Sequence, residues 1–358
     1  MSGSGDARED LASRIAEEIM MMYQEAEVAI KKEIARKFAK GLDATDWAAQ
    51  KRVGIGALRR AAEIEVRKLD KGISTVPGHM EDAYRAGAES AKVNIEVGFY
   101  GTNTPAIKVL ANELVSGIRT AHFQILRRVN DEYRRAITDT LHLSASGVYT
   151  RRQAAMKAMD ELVKSGFGRF VDKSGRAWSL QSYVEMSTRT GLSRTMLQGR
   201  LDAYQAAGHD LVIISDAPEE CSVCRPWEGR ILSISGQDKS HASLATARAA
   251  GLFHPNCRHS ANRWIKGLTK PLYNTKTADP KGDELRQQQR YLERQVRKKK
   301  EKVAVNKAWL ENDKNFEARR ALVKSEEQLK TAKSKLDTFI TENDRKRRRD
   351  REQIKSAY

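Results

Sequence analysis

Apolar residues recur every three or four positions through Leu11, Ile15, Ile19, Met22, Ala26, Ile30, Ile34 and Phe38, with Glu, Lys and Arg between them. That period predicts one amphipathic helix over residues 8–40. Gly41 supplies a C-terminal stop, and Asp43 or Asp46 can cap the next helix. The next helix is expected from Trp47, carrying Val53, Leu58, Ala61, Ile64, Val66 and Leu69 and ending at residues 70–72. Inside it, Gly54-Ile55-Gly56 lacks both the preceding strand and the third glycine of a dinucleotide loop, so it reads as packing or a kink. Pro77-Gly78 reads as a turn before a third helix over residues 80–97, and residues 98–104 as a loop. Pro105 suits the first turn of a long fourth helix over residues 106–141. Its stripe is Ile107, Leu110, Leu114, Ile118, His122, Ile125 and Val129. His122 reads as a satisfied core or interface histidine, because no second ligand is near it in sequence.

The pattern changes after the small-residue break Leu143-Ser144-Ala145-Ser146-Gly147. A helix over 150–164 is followed by two short apolar segments, 167–171 and 176–180, flanking Asp172-Lys173-Ser174-Gly175, which predicts a hairpin. Residues 183–207 read as a helix ended by Gly208. Residues 210–215 form a β-branched run that suits a buried strand, and 230–234 and 259–264 are further strand candidates. From Asp283 onward the chain is a charged helix former in which Leu285/Leu292, Val296/Val303/Leu310 and Leu322/Leu329/Leu336 each repeat at seven. Lys299, Asn306, Glu326 and Lys333 interrupt these coiled-coil pieces, so the expected form is helices packed on a partner or on each other as a hairpin. The predicted fold class is mainly α with a small α+β module. It comprises a helical N-terminal domain (1–145), a compact α+β domain with a Cys/His knuckle (146–268) and a basic helical tail (269–358).

Composition sharpens this picture. Only 7 prolines and 6% aromatics in 358 residues favour long helices. The formal charge of +18 makes a polyanion the natural partner, since each Lys or Arg near a phosphate releases condensed counterions. Over 281–358 there are 24 Lys/Arg against 14 Asp/Glu. Two clusters stand out, Lys298-Lys299-Lys300 and Arg345-Lys346-Arg347-Arg348-Arg349. Few aromatics accompany them and no recognition helix is evident, so the expected contact is with the phosphates of double-stranded DNA, without sequence reading. The alternative is a solvated charged helix. No run approaches the roughly 20 apolar residues of a membrane span. The N-terminus lacks the order of a secretory signal, so the protein is expected to stay where it is made.

All three cysteines fall in one region, as Cys221-Ser222-Val223-Cys224 and His254-Pro255-Asn256-Cys257-Arg258-His259. A C-x2-C followed by an H-x2-C can close a tetrahedral Cys3His site, so Cys221, Cys224, His254 and Cys257 are candidate ligands for a structural Zn2+. Arg258 and His259 would then support the site from outside. A reduced, metal-free pair of turns and a Cys221–Cys224 disulfide remain open. The histidines also invite comparison with zinc-knuckle nucleases, but His254 and His259 fall within six residues and no nearby acidic pair supplies a Mg2+ site. No catalytic residues are assigned, and the chain is read as a non-enzyme.

The order of these features carries a resemblance. The hairpin over 167–180, Tyr183-Val184-Glu185-Met186-Ser187-Thr188-Arg189-Thr190, the run 211–215, Cys221-Ser222-Val223-Cys224-Arg225-Pro226-Trp227-Glu228-Gly229 and His254-Pro255-Asn256-Cys257-Arg258-His259 resemble the phage minor capsid protein 2 family. That family is related to the Mu F-like head morphogenesis proteins. The resemblance is good over 147–266, looser over the N-terminal half, and hardly covers the tail. It implies a low-copy virion protein of a tailed double-stranded DNA phage, inside the head near the portal vertex. Its implied partners are the portal, the major capsid or scaffold protein, and packaged DNA, with assembly in the host cytoplasm. Some relatives carry a fused C-terminal toxin. This chain has a basic helical tail there, so no toxin activity carries over. The competing reading is a host nucleic-acid-binding scaffold with the same charge logic.

Overall fold

The computed structural model describes residues 3–92, 104–166, 169–171, 175, 177–216, 222–255, 257–269 and 280–354. The helices and strands in chain order are α1 Gly3–Ala39, α2 Trp47–Val53, α3 Ile55–Ile73, α4 Val76–Glu89, α5 Thr104–Ala145, α6 Arg151–Ser165, β1 Arg169–Val171 and β2 Ala177–Ser179. They continue as α7 Leu180–Ala206, β3 Leu211–Ile214, β4 Ile231–Ser233, β5 Ala242–Ser243, α8 Leu244–Ala249, β6 Ala261–Arg263, α9 Pro280–Leu310 and α10 Phe316–Glu342. The mainly helical fold with a small α+β module is as expected. The chain divides into two compact units, each assembled from separate stretches of sequence. The first joins residues 1–19, 73–118 and 184–287, and the second joins 20–72, 119–183 and 288–358.

In the first unit, β3 pairs antiparallel with β4 and with β6, and β4 pairs parallel with β5, giving the order β5-β4-β3-β6. Val212, Ile214, Leu232 and Ala261 from this sheet share a core with Leu201 and Tyr204 of α7, Leu244 and Ala247 of α8, and Cys224. The two-residue β5 and short α8 carry no periodicity that sequence reading could detect. Their signal is the cap, with Ser243 Oγ accepting from the Thr246 N–H at 3.0 Å. Helices α4 and α7 meet at glycines. A Cβ at Gly87 would stand 1.9 Å from the Met196 carbonyl oxygen, and one at Gly199 would stand 2.1 Å from that of Tyr84. Tyr84 then donates to Asp202 at 2.8 Å across the same crossing.

In the second unit, Phe38 of α1 sits edge-on to Trp47 of α2 (centroids 5.1 Å apart) and to Tyr133 of α5 (5.6 Å), with Trp309 of α9 at 6.4 Å. Lys31 of α1, 1% exposed, is paired with Glu27 one turn before it and with Glu301 of α9. Helices α9 and α10 form a hairpin whose core is Val296, Val303, Leu329 and Leu336, flanked by Leu292, Leu322 and Ile340. The polar interruptions of the heptads work across it. Asn306 donates to the Ala321 carbonyl at 3.2 Å and Lys299 to Gln328 at 3.1 Å. β1 and β2 pair antiparallel, Phe170 opposite Trp178, while 167–168, 172–174 and 176 of the expected hairpin lie outside the described residues.

Several details differ from the periodicity. Val53 and Ile64 are 86% and 48% exposed; the helix breaks at Gly54, and within α3 the buried stripe Leu58, Ala62, Val66, Leu69 and Ile73 keeps a three- and four-residue spacing that leaves Ile64 off it. Pro77 lies in the first turn of α4 rather than in a separate turn, where its missing N–H has no intrahelical partner to lose. His122 is satisfied as expected: its Nδ1 donates to Asp70 at 2.8 Å and Tyr23 bonds its Nε2, while burial lowers its pKa.

The α4–α7 crossing yields a prediction. Gly199→Ala forces backbone apart and should cost about 1–3 kcal/mol in denaturant unfolding. Gly78→Ala, with nothing within 4 Å of the added carbon, serves as the near-neutral control. Equal stability of the two variants would contradict the close crossing.

Candidate metal centre

Two tight turns build the site in the first unit. Cys224 precedes a 3-10 turn over Arg225–Trp227, closed by the Trp227 N–H on the Cys224 carbonyl at 2.9 Å. Pro226 suits that turn, and the Gly229 N–H then bonds the Ile214 carbonyl at 3.0 Å, fixing the segment to the end of β3. The second turn follows α8, where the Cys257 N–H bonds the His254 carbonyl at 3.0 Å. Its entry requires left-handed backbone at Gly251 (φ 104°) and at Phe253 (φ 60°), the latter unusual for a bulky residue. Its exit is tied to β3 by Ser260, whose N–H bonds Ser215 Oγ at 2.9 Å.

These turns bring Cys224, Cys257 and His259 together, with one ligand atom from each within 4.8 Å of the others. The two Sγ atoms are 3.5 Å apart, far longer than a disulfide, and Cys257 Sγ is 3.3 Å from His259 Nδ1. His259 Nε2 donates to Glu228 Oε1 at 2.5 Å. The His259 backbone N–H also reaches Cys257 Sγ at 3.4 Å. His254 bonds Cys224 through its side chain, while its Nδ1 lies 2.7 Å from the Pro255 carbonyl. Thus His259, expected outside the site, is inside the cluster. Cys221 and Asn256 lie outside the described residues.

The electrostatics match a cluster of soft donors. The hydrogen bond from Cys257, together with burial, pushes the Cys224 thiol up. The bond to Cys224 raises His254. For His259, burial disfavours the charged ring, but Cys224 and Glu228 more than offset it. A cleft lined by Arg189, Thr190, Ser193, His254, Cys257 and His259 borders the cluster and offers a path to it.

Comparison with known proteins gives the molecule its context. The phage minor capsid protein 2 family matches residues 9–340. The chain belongs to the phage minor capsid protein 2 family. A related sequence, named "Structural protein", comes from Lactococcus phage LL-H and is 24% identical over 253 residues. That match covers 66% of this chain and 62% of the relative, so the chain spans less than two thirds of that protein's length. No solved structure matches. The family membership makes this a phage structural protein of the virion.

In this minor capsid protein the basic residues expected at DNA are placed unevenly. Lys298, Lys346 and Arg349 are exposed, whereas Lys300 is buried at 6% and donates to Gln353 at 3.2 Å. Burial therefore removes Lys300 from the surface set. Lys299 is half-buried on Gln328, Arg345 donates to Gln289 at 2.7 Å, and Arg348 pairs with Asp350 at 3.3 Å. Arg347 grips both oxygens of Glu352 at 2.7 Å and also pairs with Asp337. The segment after α10 folds back along α9, where Arg297 donates to the Arg351 carbonyl at 2.5 Å and Gln289 to that of Lys346 at 3.0 Å. Arg319, Arg320, Lys324, Lys330 and Lys335 of α10 are exposed, a basic set the sequence clusters did not single out. Among the described residues no helix is long and apolar enough to cross a membrane.

Arg347→Gln should leave the 4%-exposed Glu352 without its bidentate partner and loosen the fold-back. Trypsin should then cut faster at Lys346, Arg348 and Arg349 in the native chain. An unchanged cleavage rate would mean that this pair does not hold the segment.

Proposed function

We propose that this chain is a minor head protein of a tailed double-stranded DNA phage, associated with the portal inside the head and touching packaged DNA through its phosphates. The observation that supports it most is the family match over residues 9–340, combined with a formal charge of +18. A head interior is filled with polyanion, and a surplus of that size favours such contact over a sequence-reading one. Lys298, Lys346 and Arg349, with the exposed basic residues of α10, are the groups that would meet phosphate. The paired arginines 345, 347 and 348 instead hold the segment in place, so that its charge is presented by a folded surface rather than a loose arm.

The apolar stripes of the N-terminal helices are used internally. Ile15, Ile107 and Leu114 are buried, and Leu11, Met22 and Leu110 are half-buried. A portal contact would therefore use other surface, with Phe123 (75% exposed) the most conspicuous apolar side chain left on α5.

The test has two arms. Full-length chain is titrated against two unrelated duplexes at low and moderate salt, and is also co-expressed with the portal of its phage. Equal affinities with a steep salt slope are expected, the slope shrinking when Lys298, Lys346 and Arg349 become Gln, and the chain should co-purify with portal. Absence of binding to both duplexes at low salt would remove DNA contact. Failure to co-purify with portal would remove that partner.

A further inference from the structure

We propose that Cys224, Cys257, His259 and His254 hold one structural Zn2+ ion, with Glu228 as the positioning residue behind His259. This inference rests on the site's geometry and does not depend on the head-protein reading. It differs from the ligand set suggested by the motif spacing in taking His259, which the described residues bring to the cluster, where that set had Cys221.

The geometry is close to that of a loaded site. Zn–S bonds of about 2.3 Å and Zn–N bonds of about 2.0–2.1 Å give tetrahedral edges of about 3.8 Å between two sulfurs and about 3.6 Å between sulfur and nitrogen. The observed edges are 3.5 Å for Cys224–Cys257 and 3.3 Å for Cys257–His259. Shifts of a few tenths of an ångström suffice for these three ligands, while His254, bonded to Cys224 but outside the three-residue cluster, must swing further to become the fourth. Two thiolates and two imidazoles suit Zn2+ by softness and by count. Among the described residues the cluster consists of sulfur and imidazole donors rather than the hard oxygen ligands that Mg2+ and Ca2+ prefer, and the Glu228 carboxylate beside it is engaged by His259.

Glu228 supplies the second observation. It accepts from Nε2 of a ring whose Nδ1 faces the thiols, the carboxylate–histidine arrangement that fixes the tautomer and aims the free nitrogen at a metal. The Glu228 side chain is 17% exposed and that of His259 is 2% exposed, so the pair is set within the fold. The His259 N–H on Cys257 Sγ adds a backbone donor to a sulfur that would carry negative charge once its proton leaves. On binding, each thiol releases its proton to solvent as the Zn–S bond forms, and both rings bind as neutral imidazole. The ion would then join the turn after Cys224 to the turn before β6. Neither turn has a strand ladder of its own, and both flank the core that contains Cys224, Leu252, Phe253 and Ala261.

The test uses the full chain, purified under reductant without chelator, with metal content measured by mass spectrometry and ligand type read by Co2+ substitution. One zinc per chain is expected, and the Co2+ form should show tetrahedral d–d bands with thiolate charge transfer. Cys257→Ser and His259→Ala should each lose the metal. His254→Ala should bind it more weakly, and Glu228→Gln should weaken affinity by roughly 10–100-fold with the fold intact by circular dichroism. Cys221→Ser should keep full occupancy. A reduced wild-type chain that takes up no zinc from a stoichiometric zinc solution overturns the proposal. So does a chain in which Cys221→Ser empties the site while His259→Ala leaves it filled.

Discussion

The ammonium of Lys31 is buried in the second unit, and it is held there by Glu301, a residue 270 positions further along the chain. Burial alone disfavours the charged form, but Glu27 and Glu301 more than offset it and keep the group protonated. Burial in turn raises the pKa of Glu301, with Lys31 opposing that shift. A buried charge that loses its partner costs several kcal/mol. The packing of α1 therefore depends on α9, and the aromatic group of Phe38, Trp47, Tyr133 and Trp309 draws on the same two helices. The basic segment at the end of the chain is part of this unit's architecture.

That dependence changes how the net charge should be read. A basic C-terminal region in sequence suggests a solvated arm. Here its arginines divide into those that hold the fold, such as Arg347 on Glu352 and Asp337, and those left to solvent, such as Arg349. A folded basic surface would meet any polyanion without first ordering a flexible segment, which lowers the conformational entropy such a contact would lose. For a member of the phage minor capsid protein 2 family, this suits a part in a permanent assembly.

Much of the fold was legible because long helices write their period into the sequence. The stripe Ile15 to Phe38, the stop at Gly208 and the helix expected from residue 150, which Thr150 caps by accepting from the Gln153 N–H, all stand where the pattern put them. What was not legible depends on contacts between distant residues. Gly87 and Gly199 look like ordinary helix-interior glycines until the backbones they allow to meet are seen. The same holds for the Cys/His cluster. Spacing alone pointed to Cys221, Cys224, His254 and Cys257 and left His259 outside, because Glu228, which orients its ring, is 31 residues away. The interleaved units were hidden for the same reason: local pattern finds helices, not which distant helix completes their core.

Hydrogen exchange on a chain ending at residue 279, compared with the full chain, tests most directly whether the C-terminal helices belong to the core of the second unit. Removing α9 and α10 takes away Glu301 and Trp309, so protection of the amides around Ile30, Ile34 and Phe38 should collapse. Native protection of those amides in the shortened chain would contradict the account and restore the picture of an appended tail.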